Sequence, residues 1–389
     1  MIKSHRHTVG LLALTSLLLS CGKTSTSQTK ALPFVCGDQN ASTLYFDEDH
    51  KEYLSGQFRG PSVKNLLVFG DSLSDSGALG AKTHDLVVPK CKYWFNHFSN
   101  GPVWTEYVSG GAGWAMKSYA VGGSGTSKER GDSLFAWLAY FNPLKIRDTF
   151  QDLVLTSMLD QIEQFAHDTQ KGKIAFSGAD TVVSLWAGPN NYFIHGREVQ
   201  DRDGHVDREK ADQLVDETIN DLRKGIVRLQ GLGFKRISLG NMPVLAGLPP
   251  DPSNLIKLAS FETLEYLSIR HNRGIDSLAL AFKDQGMDII VFGANEIFNK
   301  TVDQPLDYGF DSVDACYSGN IFGLSPSGTR EFCEHPLRQK SWDYPHPNTR
   351  MHCIYASQFV ADARAAGWIE PGTDFVQKCV DMRTKQGIE

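Results

Sequence analysis

The most informative segment of the chain is an apolar run that ends in a turn of small and polar residues, LLVFGDS at residues 66–72. Its aliphatic and aromatic residues predict a strand buried on both faces, as in a parallel sheet. A Ser just past such a strand and close to Gly70 can expose its hydroxyl, while its backbone N–H points toward the same pocket. Gly, Asp and Ser also dominate ordinary turns, so this segment alone does not distinguish a nucleophilic Ser72 from a polar turn.

Similar runs elsewhere predict further strands of the same sheet, at residues 181–187, 236–239 and 288–292. Between them, residues 211–230 and 264–285 repeat apolar positions at spacings of three and four, which predicts amphipathic helices. Strands that alternate with helices indicate an α/β fold with helices on both faces of a parallel sheet. Ligands of such sheets bind beyond the carboxyl ends of the strands, so the residues that follow each strand are candidates for a site.

Composition excludes several classes of protein. Of the 389 residues, 41% are hydrophobic and 22% are charged, which excludes a disordered acidic chain, a collagen-like repeat and a polytopic membrane protein. With a net charge of −6, the chain has no excess of basic residues to form the large basic surface that binds a phosphate backbone, so we expect no nucleic-acid partner. Lys128 stands where a dinucleotide-binding fingerprint needs its last Gly, and no short Cys-x-x-Cys pair occurs, so we expect neither a cofactor nor a metal.

The N-terminus has the pattern of an export signal. Basic residues precede a mostly apolar run at residues 9–19 that is too short to span a bilayer, and Ser20 and Cys21 follow it. The end of this segment resembles a bacterial lipobox, which predicts that Cys21 is the lipidated first residue of an outer-membrane lipoprotein. The alternative is an ordinary signal peptide of a secreted protein, cut nearby so that Cys21 is discarded.

The cysteines beyond Cys21 are even in number, which in an exported chain favours disulfides. Their connectivity does not follow from the sequence, because six cysteines allow many pairings. Grouping by position predicts three pairs, Cys36 with Cys91, Cys316 with Cys333, and Cys353 with Cys379.

Three more stretches carry groups suited to ester chemistry. The strand at 181–187 leads into a Gly-Pro-Asn turn in which the amide of Asn190 can donate a hydrogen bond to an oxyanion. The pair Gly122-Gly123 offers backbone N–H groups that no side chain shields. Near the C-terminus, His346 can serve as general base and then general acid, and Asp343 can bond its other ring nitrogen. Each stretch, taken alone, is also typical of a surface turn.

Taken together and in this order, the stretches resemble the GDSL, or SGNH, family of serine esterases and lipases. The matching blocks are Gly70-Asp71-Ser72-Leu73, Gly122-Gly123, Gly188-Pro189-Asn190 and Asp343-Tyr344-Pro345-His346. The resemblance covers about residues 65–361. It implies a three-layer α/β/α, flavodoxin-like fold with a mostly parallel sheet of about five strands.

Carried over position by position, the family's triad makes Ser72 the nucleophile, His346 the base and Asp343 the acid that orients it. Within the family, the pattern is most similar to bacterial secreted phospholipases A and glycerophospholipid:cholesterol acyltransferases. This implies a phospholipid or lysophospholipid substrate, a sterol as a further acyl acceptor, and contact with a membrane surface through the lipid anchor. Two alternatives stay open, a carbohydrate acetyl esterase of the same fold and a catalytically inactive, lipid-anchored binding protein.

The oxyanion hole implied by the resemblance combines the N–H of Ser72, the N–H of Gly123 and the side-chain amide of Asn190. In this alignment Gly122 is an alternative to Gly123. The family usually has Asp after the oxyanion Asn, whereas this chain has Asn191. We expect that departure to affect the orientation of Asn190 rather than the chemistry.

An apolar aromatic run at residues 134–141, between the second and third blocks, either lines an acyl-chain pocket or forms a buried core helix.

The chain is expected to divide into three segments. The predicted segments are a signal peptide at 1–20, a tether and N-terminal extension at 21–61, and a single hydrolase domain at 62–389.

Overall fold

The computed structural model of the protein describes residues 40–60, 62–128, 156–249, 258–325 and 330–387. The predicted signal peptide, Cys21, Cys36 and the aromatic run at 134–141 lie outside these ranges. None of the helices within them combines the length and the apolar character that crossing a membrane requires.

The centre of the fold is a sheet of five parallel strands, ordered β2-β1-β3-β4-β5. The predicted α/β class with a parallel sheet is therefore confirmed, and the order is that of flavodoxin-like folds. Four of the five strands coincide with predicted runs; β2 was not predicted, because it is short and its side chains alternate between exposed and half-buried. The strands are β1 Asn65–Gly70, β2 Ala115–Ser118, β3 Thr181–Trp186, β4 Arg236–Gly240 and β5 Asp288–Phe292.

Helices connect the strands, and a small second sheet lies near the C-terminus. The α-helices are α1 His50–Tyr53, α2 Ala78–Lys82, α3 Trp104–Ala112, α4 Met158–Gln170, α5 Pro189–His195, α6 Arg208–Gly231, α7 Phe261–Lys283, α8 Ala294–Asp303, α9 Thr349–Ala365 and α10 Val376–Val380. Short 3-10 turns cover Trp94–Asn96, Gly196–Val199, Leu245–Gly247 and Pro305–Tyr308. The second sheet pairs β6 Ser312–Ala315 with β7 Gln339–Ser341 in parallel.

Side chains of the central strands alternate between two hydrophobic layers. In β1, Leu66 and Val68 pack with residues of α3, α8 and α9, whereas Leu67 and Phe69 pack with residues of α4, α6 and α7. Because successive strand residues point to opposite faces, this division shows that helices cover both sides of the sheet. The expected three-layer α/β/α architecture is confirmed.

The predicted long helices exist, and each begins slightly before its apolar pattern. Helix α6 begins after Asp207, whose side chain accepts a hydrogen bond from the Lys210 N–H, and α7 begins after Ser260 in the same way. Such caps satisfy N–H groups that lack a partner within the helix. They start each helix three residues before the apolar pattern does.

The segment before β1 packs on the outer layer of α3 and α9. Phe46 contacts the rings of Tyr53 and Tyr107 and forms an antiparallel bridge with Thr384 near the C-terminus. Disulfides join Cys316 to Cys333 and Cys353 to Cys379, two of the predicted pairs. Cys91 is also disulfide-bonded. Its predicted partner Cys36 lies outside the described residues, so that pair stays a prediction.

Candidate active site

The end of β1 is held in a conformation that only Gly tolerates. Gly70 has φ +154°, and a Cβ at this position would lie 2.2 Å from the carbonyl oxygen of Trp186 in the neighbouring strand. The buried side chain of Gln161, in α4, accepts a hydrogen bond from the Gly70 N–H at 2.9 Å and donates one to the Gly70 carbonyl at 2.9 Å. These contacts fix the backbone that presents Ser72 at the carboxyl end of the sheet.

Ser72, His346 and Asp343 form a continuous hydrogen-bonded chain. Ser72 Oγ lies 3.0 Å from His346 Nε2, and His346 Nδ1 lies 2.6 Å from Asp343 Oδ1. The side chains are nearly excluded from solvent, with exposures of 9% for Ser72, 6% for His346 and 0% for Asp343. The ring of Phe98 packs on the imidazole, with 4.5 Å between ring centres. The structure therefore brings together the three residues that the sequence proposed for the triad.

The Asp343 to His346 loop is fixed at both ends. The His346 N–H donates to Asp343 Oδ1 at 3.0 Å, and the Trp342 N–H donates to the His346 carbonyl at 2.8 Å, which closes a tight turn. After the turn, Asn348 caps α9 by accepting a hydrogen bond from the Met351 N–H at 2.8 Å. A spacing of three residues thus places the imidazole directly against the carboxylate.

The structure separates the two glycines of the second block. The Gly122 N–H donates to Asp75 Oδ2 at 2.7 Å, so it is not available to a ligand. A Cβ on Gly122 would lie 2.1 Å from Cζ of Phe98, which explains the need for Gly there. Gly123 has φ +80°, the left-handed region that favours Gly. Of the two, Gly123 is the candidate oxyanion donor.

Asn190 lies at the start of α5, at the end of β3. Its Nδ2 donates to the carbonyl of Ser124 at 3.0 Å, which holds the amide against the Gly-rich loop. A Cβ on the preceding Gly188, which has φ +142°, would lie 2.8 Å from Cε1 of the buried His271. The close packing behind Gly188 fixes the direction in which α5 leaves the sheet.

The side chain of Asn191 also links α5 to the Gly-rich loop. Its Oδ1 accepts the Thr126 N–H at 3.1 Å, and its Nδ2 donates to Thr126 Oγ1 at 2.8 Å and to Thr218 Oγ1 at 2.9 Å. Thr126 Oγ1 in turn donates to Asp221 Oδ2 at 3.0 Å. An amide satisfies this arrangement because it supplies donors and an acceptor at once.

The Asp residue of the first block is buried beside Ser72. Burial, with a smaller contribution from the nearby Asp75, raises the pKa of Asp71 to about 7 against the opposing effects of the Leu73 N–H and His346. The Leu73 N–H donates to Asp71 Oδ1 at 3.1 Å. Asp71 is therefore a titratable group at neutral pH within the turn that carries Ser72.

A second histidine and carboxylate pair lies behind the site. His97 Nε2 is 2.9 Å from Glu106 Oε2, and both side chains are buried. Burial alone would lower the pKa of His97, but Glu106, with smaller contributions from Asp75 and the Phe95 carbonyl, outweighs it and raises that pKa. By contrast, burial lowers the pKa of His352 to about 3, so its ring is neutral. In the part of the chain that the structure describes, no group of three or more His, Cys, Asp and Glu is arranged to hold a metal.

Two contacts of the site were not anticipated from the sequence. Tyr93 donates its hydroxyl to Asp343 Oδ2 at 2.5 Å, and Gln161 clamps Gly70 from a helix 91 residues further along the chain. Neither residue belongs to a recognisable block, and neither position carries a local signal. Only the fold brings them to the site.

Residues 66–359 match the sequence profile of a family described as GDSL-like Lipase/Acylhydrolase. The thermolabile hemolysin of Vibrio parahaemolyticus is 24% identical over 341 residues, which cover 83% of this chain and 71% of the relative. The phosphatidylcholine-sterol acyltransferase of Aeromonas hydrophila is 26% identical over 262 residues, which cover 67% of each chain.

Solved structures with a similar outline include a member of the lipolytic G-D-S-L family from Veillonella parvula. That structure has 13% sequence identity and a TM-score of 0.37, and the match covers 77% of this chain and 97% of the other. An acetyl-xylooligosaccharide esterase, Axe2 from Geobacillus, has 16% identity and a TM-score of 0.37, with 77% and 94% coverage.

Proposed function

The chain belongs to the GDSL-like lipase and acylhydrolase family and is a carboxylic-ester hydrolase, and from this premise we propose that it is an exported serine enzyme acting on lipid esters. The observation that carries the proposal is the contact of 3.0 Å between Ser72 Oγ and His346 Nε2, with Asp343 Oδ1 2.6 Å from the other ring nitrogen. This geometry lets the imidazole remove the hydroxyl proton as Ser72 attacks.

The reaction follows in two acyl-transfer steps. In the first, His346 Nε2 takes the proton from Ser72 Oγ, the oxygen adds to the ester carbonyl, and the imidazolium returns the proton to the leaving alcohol. In the second, His346 removes a proton from water or from another alcohol, which attacks the acyl-enzyme, and the imidazolium then gives that proton to Ser72 Oγ as the product is released. Asp343 keeps the imidazole oriented and stabilises the imidazolium that forms in each step.

The proposed oxyanion hole consists of the N–H groups of Ser72 and Gly123 and the amide of Asn190. Support for Gly123 comes from the engagement of the Gly122 N–H by Asp75. Asn190 uses one amide hydrogen on the Ser124 carbonyl, and the amide has a second hydrogen that can donate to an oxyanion. A donor aimed at an oxyanion typically lowers the barrier by about 3 to 4 kcal/mol.

We propose a phospholipid or lysophospholipid as the substrate and water or a sterol as the acyl acceptor. Two relatives support this choice, since one is named for phosphatidylcholine and sterol and the other is a hemolysin. An exposed aromatic residue that is near the site in sequence is consistent with a lipid substrate. Phe95 is 63% exposed and stands three residues before Phe98, whose ring packs on His346.

We also propose export and a simple domain organisation. The disulfides Cys316–Cys333 and Cys353–Cys379 favour an oxidising compartment. The N-terminal pattern favours removal of residues 1–20 and lipidation of Cys21. Residues 62–389 are the proposed hydrolase domain, on which part of the 21–61 segment packs through Phe46.

The test is incubation of the purified protein with fatty-acyl-labelled phosphatidylcholine, with and without cholesterol, followed by separation of the products. We expect free fatty acid in both samples, cholesteryl ester in the second, and neither product with Ser72→Ala or His346→Ala. Hydrolysis of acetylated xylan, with no release of fatty acid from the phospholipid, would contradict the lipid assignment. Phospholipid hydrolysis that survives in Ser72→Ala would contradict the assignment of the nucleophile.

A further inference from the structure

The carboxylate of Asp343 has a second fixed partner besides the imidazole. Asp343 Oδ1 accepts hydrogen bonds from the ring and the backbone of His346, and Oδ2 accepts one from the hydroxyl of Tyr93. We propose that Tyr93 is a positioning residue of the hydrolase, which acts on His346 through Asp343. This inference rests on the proposed function. Tyr93 lies outside the four sequence blocks, and the inference is that it helps to set the basicity of the catalytic histidine.

The contact matters because Asp343 is fully buried. A buried carboxylate oxygen without a hydrogen-bond donor is costly, and a carboxylate held at one oxygen only can rotate about its last side-chain bond. With Tyr93 2.5 Å from Oδ2, the plane of the carboxylate is fixed and Oδ1 stays directed at Nδ1. The hydrogen bond also stabilises the negative charge of the carboxylate at this buried position.

Tyr93 is suited to remain a donor throughout the pH range of the reaction. Burial, followed by the charge of Asp343, keeps the pKa of Tyr93 well above its usual range. The hydroxyl is therefore protonated wherever His346 can act as a base. Unlike a water molecule, it cannot exchange or leave the site.

The position of Tyr93 is set from two directions. Its ring is buried edge-on against Tyr317, with 5.6 Å between ring centres, and Tyr317 follows directly on the disulfide-bonded Cys316. On the other side, the backbone carbonyl of the preceding residue, Lys92, accepts a hydrogen bond from Trp342 Nε1 at 3.1 Å. The loop that holds the tyrosine is thus tied to the residue that precedes Asp343.

Removal of the hydroxyl has a predictable effect on the basicity of His346. Without the Tyr93 donor, the negative charge on Asp343 is less stabilised, and it attracts the proton of the imidazolium more strongly. The acidic limb of the kcat/KM profile therefore moves to higher pH. A tyrosine that only fills space would affect unfolding without moving this limb.

The experiment compares wild type, Tyr93→Phe and a matched control on a soluble p-nitrophenyl ester. The control is Tyr107→Phe, because Tyr107 is equally buried and its hydroxyl lies 2.6 Å from Thr349 Oγ1, in a contact that does not include the triad. For Tyr93→Phe we expect kcat to fall by about ten- to a hundred-fold, with KM nearly unchanged and the acidic limb moved to higher pH. Tyr107→Phe is expected to keep the kcat and the limb of the wild type.

A double-mutant cycle with Asp343→Asn separates action through Asp343 from a general effect. If Tyr93 acts through Asp343, Tyr93→Phe lowers kcat little further in the Asp343→Asn background. Additive losses, or a Tyr93→Phe enzyme with the kcat and acidic limb of the wild type, would overturn the proposal. Should Tyr93→Phe not fold, Tyr317→Leu is used instead, because it loosens the packing of the Tyr93 ring and keeps the Tyr93 hydroxyl. A lower kcat and an acidic limb moved to higher pH would support the proposal. An unchanged kcat and limb would overturn it.

Failure of the proposed function gives a different result. If the wild type itself hydrolyses no ester and a fluorophosphonate leaves Ser72 unlabelled, then the proposed function is wrong and the role of Tyr93 is overturned with it. If the wild type is active and labelled but Tyr93→Phe behaves like it, only the role of Tyr93 is overturned.

Discussion

The amide of Asn191 lies in a buried network in which every proton already has an acceptor. Thr126 Oγ1 accepts from Asn191 and donates its single proton to Asp221, and Thr218 Oγ1 donates its proton to the Leu214 carbonyl. Asn191→Asp, which introduces the residue usual in the family, would replace the two donors of the amide by an acceptor. We predict that this variant is destabilised, and increasingly so as the pH rises.

The size of the effect follows from the hydrogen-bond lengths. The Asn191 and Asp221 side-chain atoms lie 2.8 Å and 3.0 Å from the same hydroxyl oxygen, so two carboxylates would be no more than about 6 Å apart. At an effective dielectric constant of about 20, their repulsion is about 3 kcal/mol. Burial adds to this repulsion, and both effects raise the pKa of the new carboxyl above its value in the unfolded chain. The loss of stability is therefore small near pH 4 and grows as the pH rises toward 8.

The assay is denaturant unfolding of both proteins at about pH 4.5 and about pH 8, with the free energy of unfolding as the readout. The control is Asn299→Asp, the same chemical change on the exposed surface of α8, for which we expect a difference within about 0.5 kcal/mol at both pH values. An Asn191→Asp variant that equals the wild type at pH 8 would refute the reasoning, because it would show that the network accepts a second charge.

Three further changes test other parts of the site. Gly70→Ala places its Cβ 2.2 Å from the Trp186 carbonyl oxygen, so we expect a loss of more than about 3 kcal/mol in unfolding free energy, and a normal melting temperature would contradict it. Asn190→Ala should lower kcat about 100-fold with little change in KM, through loss of an oxyanion donor, whereas an unchanged kcat would remove Asn190 from the hole. Because the pKa of Asp71 is about 7 in the fold and lower in the unfolded chain, stability is lost as the pH rises through this interval. Asp71→Asn should therefore raise the unfolding free energy more at about pH 8 than at about pH 5, and equal gains at both would argue against this burial effect.

Sequence patterns predicted those features whose cause is local. The apolar run before Ser72 indicates a strand end without reference to distant residues. The three-residue spacing of Asp343 and His346 indicates a turn in the same way. The order of these blocks then indicated one family and one sheet. Strand β2 could not be predicted from its sequence, because the segment is short and half-exposed. It is a strand only because it forms hydrogen bonds with β1.

Non-local contacts of the site could not be predicted. Gln161 reaches Gly70 across 91 residues, and Tyr93 reaches Asp343 across 250. The choice between Gly122 and Gly123 likewise depended on Asp75, which occupies the N–H of Gly122. In each case a side chain satisfies a buried polar group that is distant in sequence, and composition or spacing carries no record of such a partner.

The central claim is that Ser72 is a nucleophile activated by His346. The most direct measurement is peptide mapping by mass spectrometry after reaction of the full chain with a fluorophosphonate. We predict one phosphonyl group on Ser72 in the wild type, and no labelling above background in Ser72→Ala or His346→Ala with their circular dichroism unchanged. Labelling at another serine, or labelling of Ser72 that is as fast in His346→Ala as in the wild type, would contradict the account.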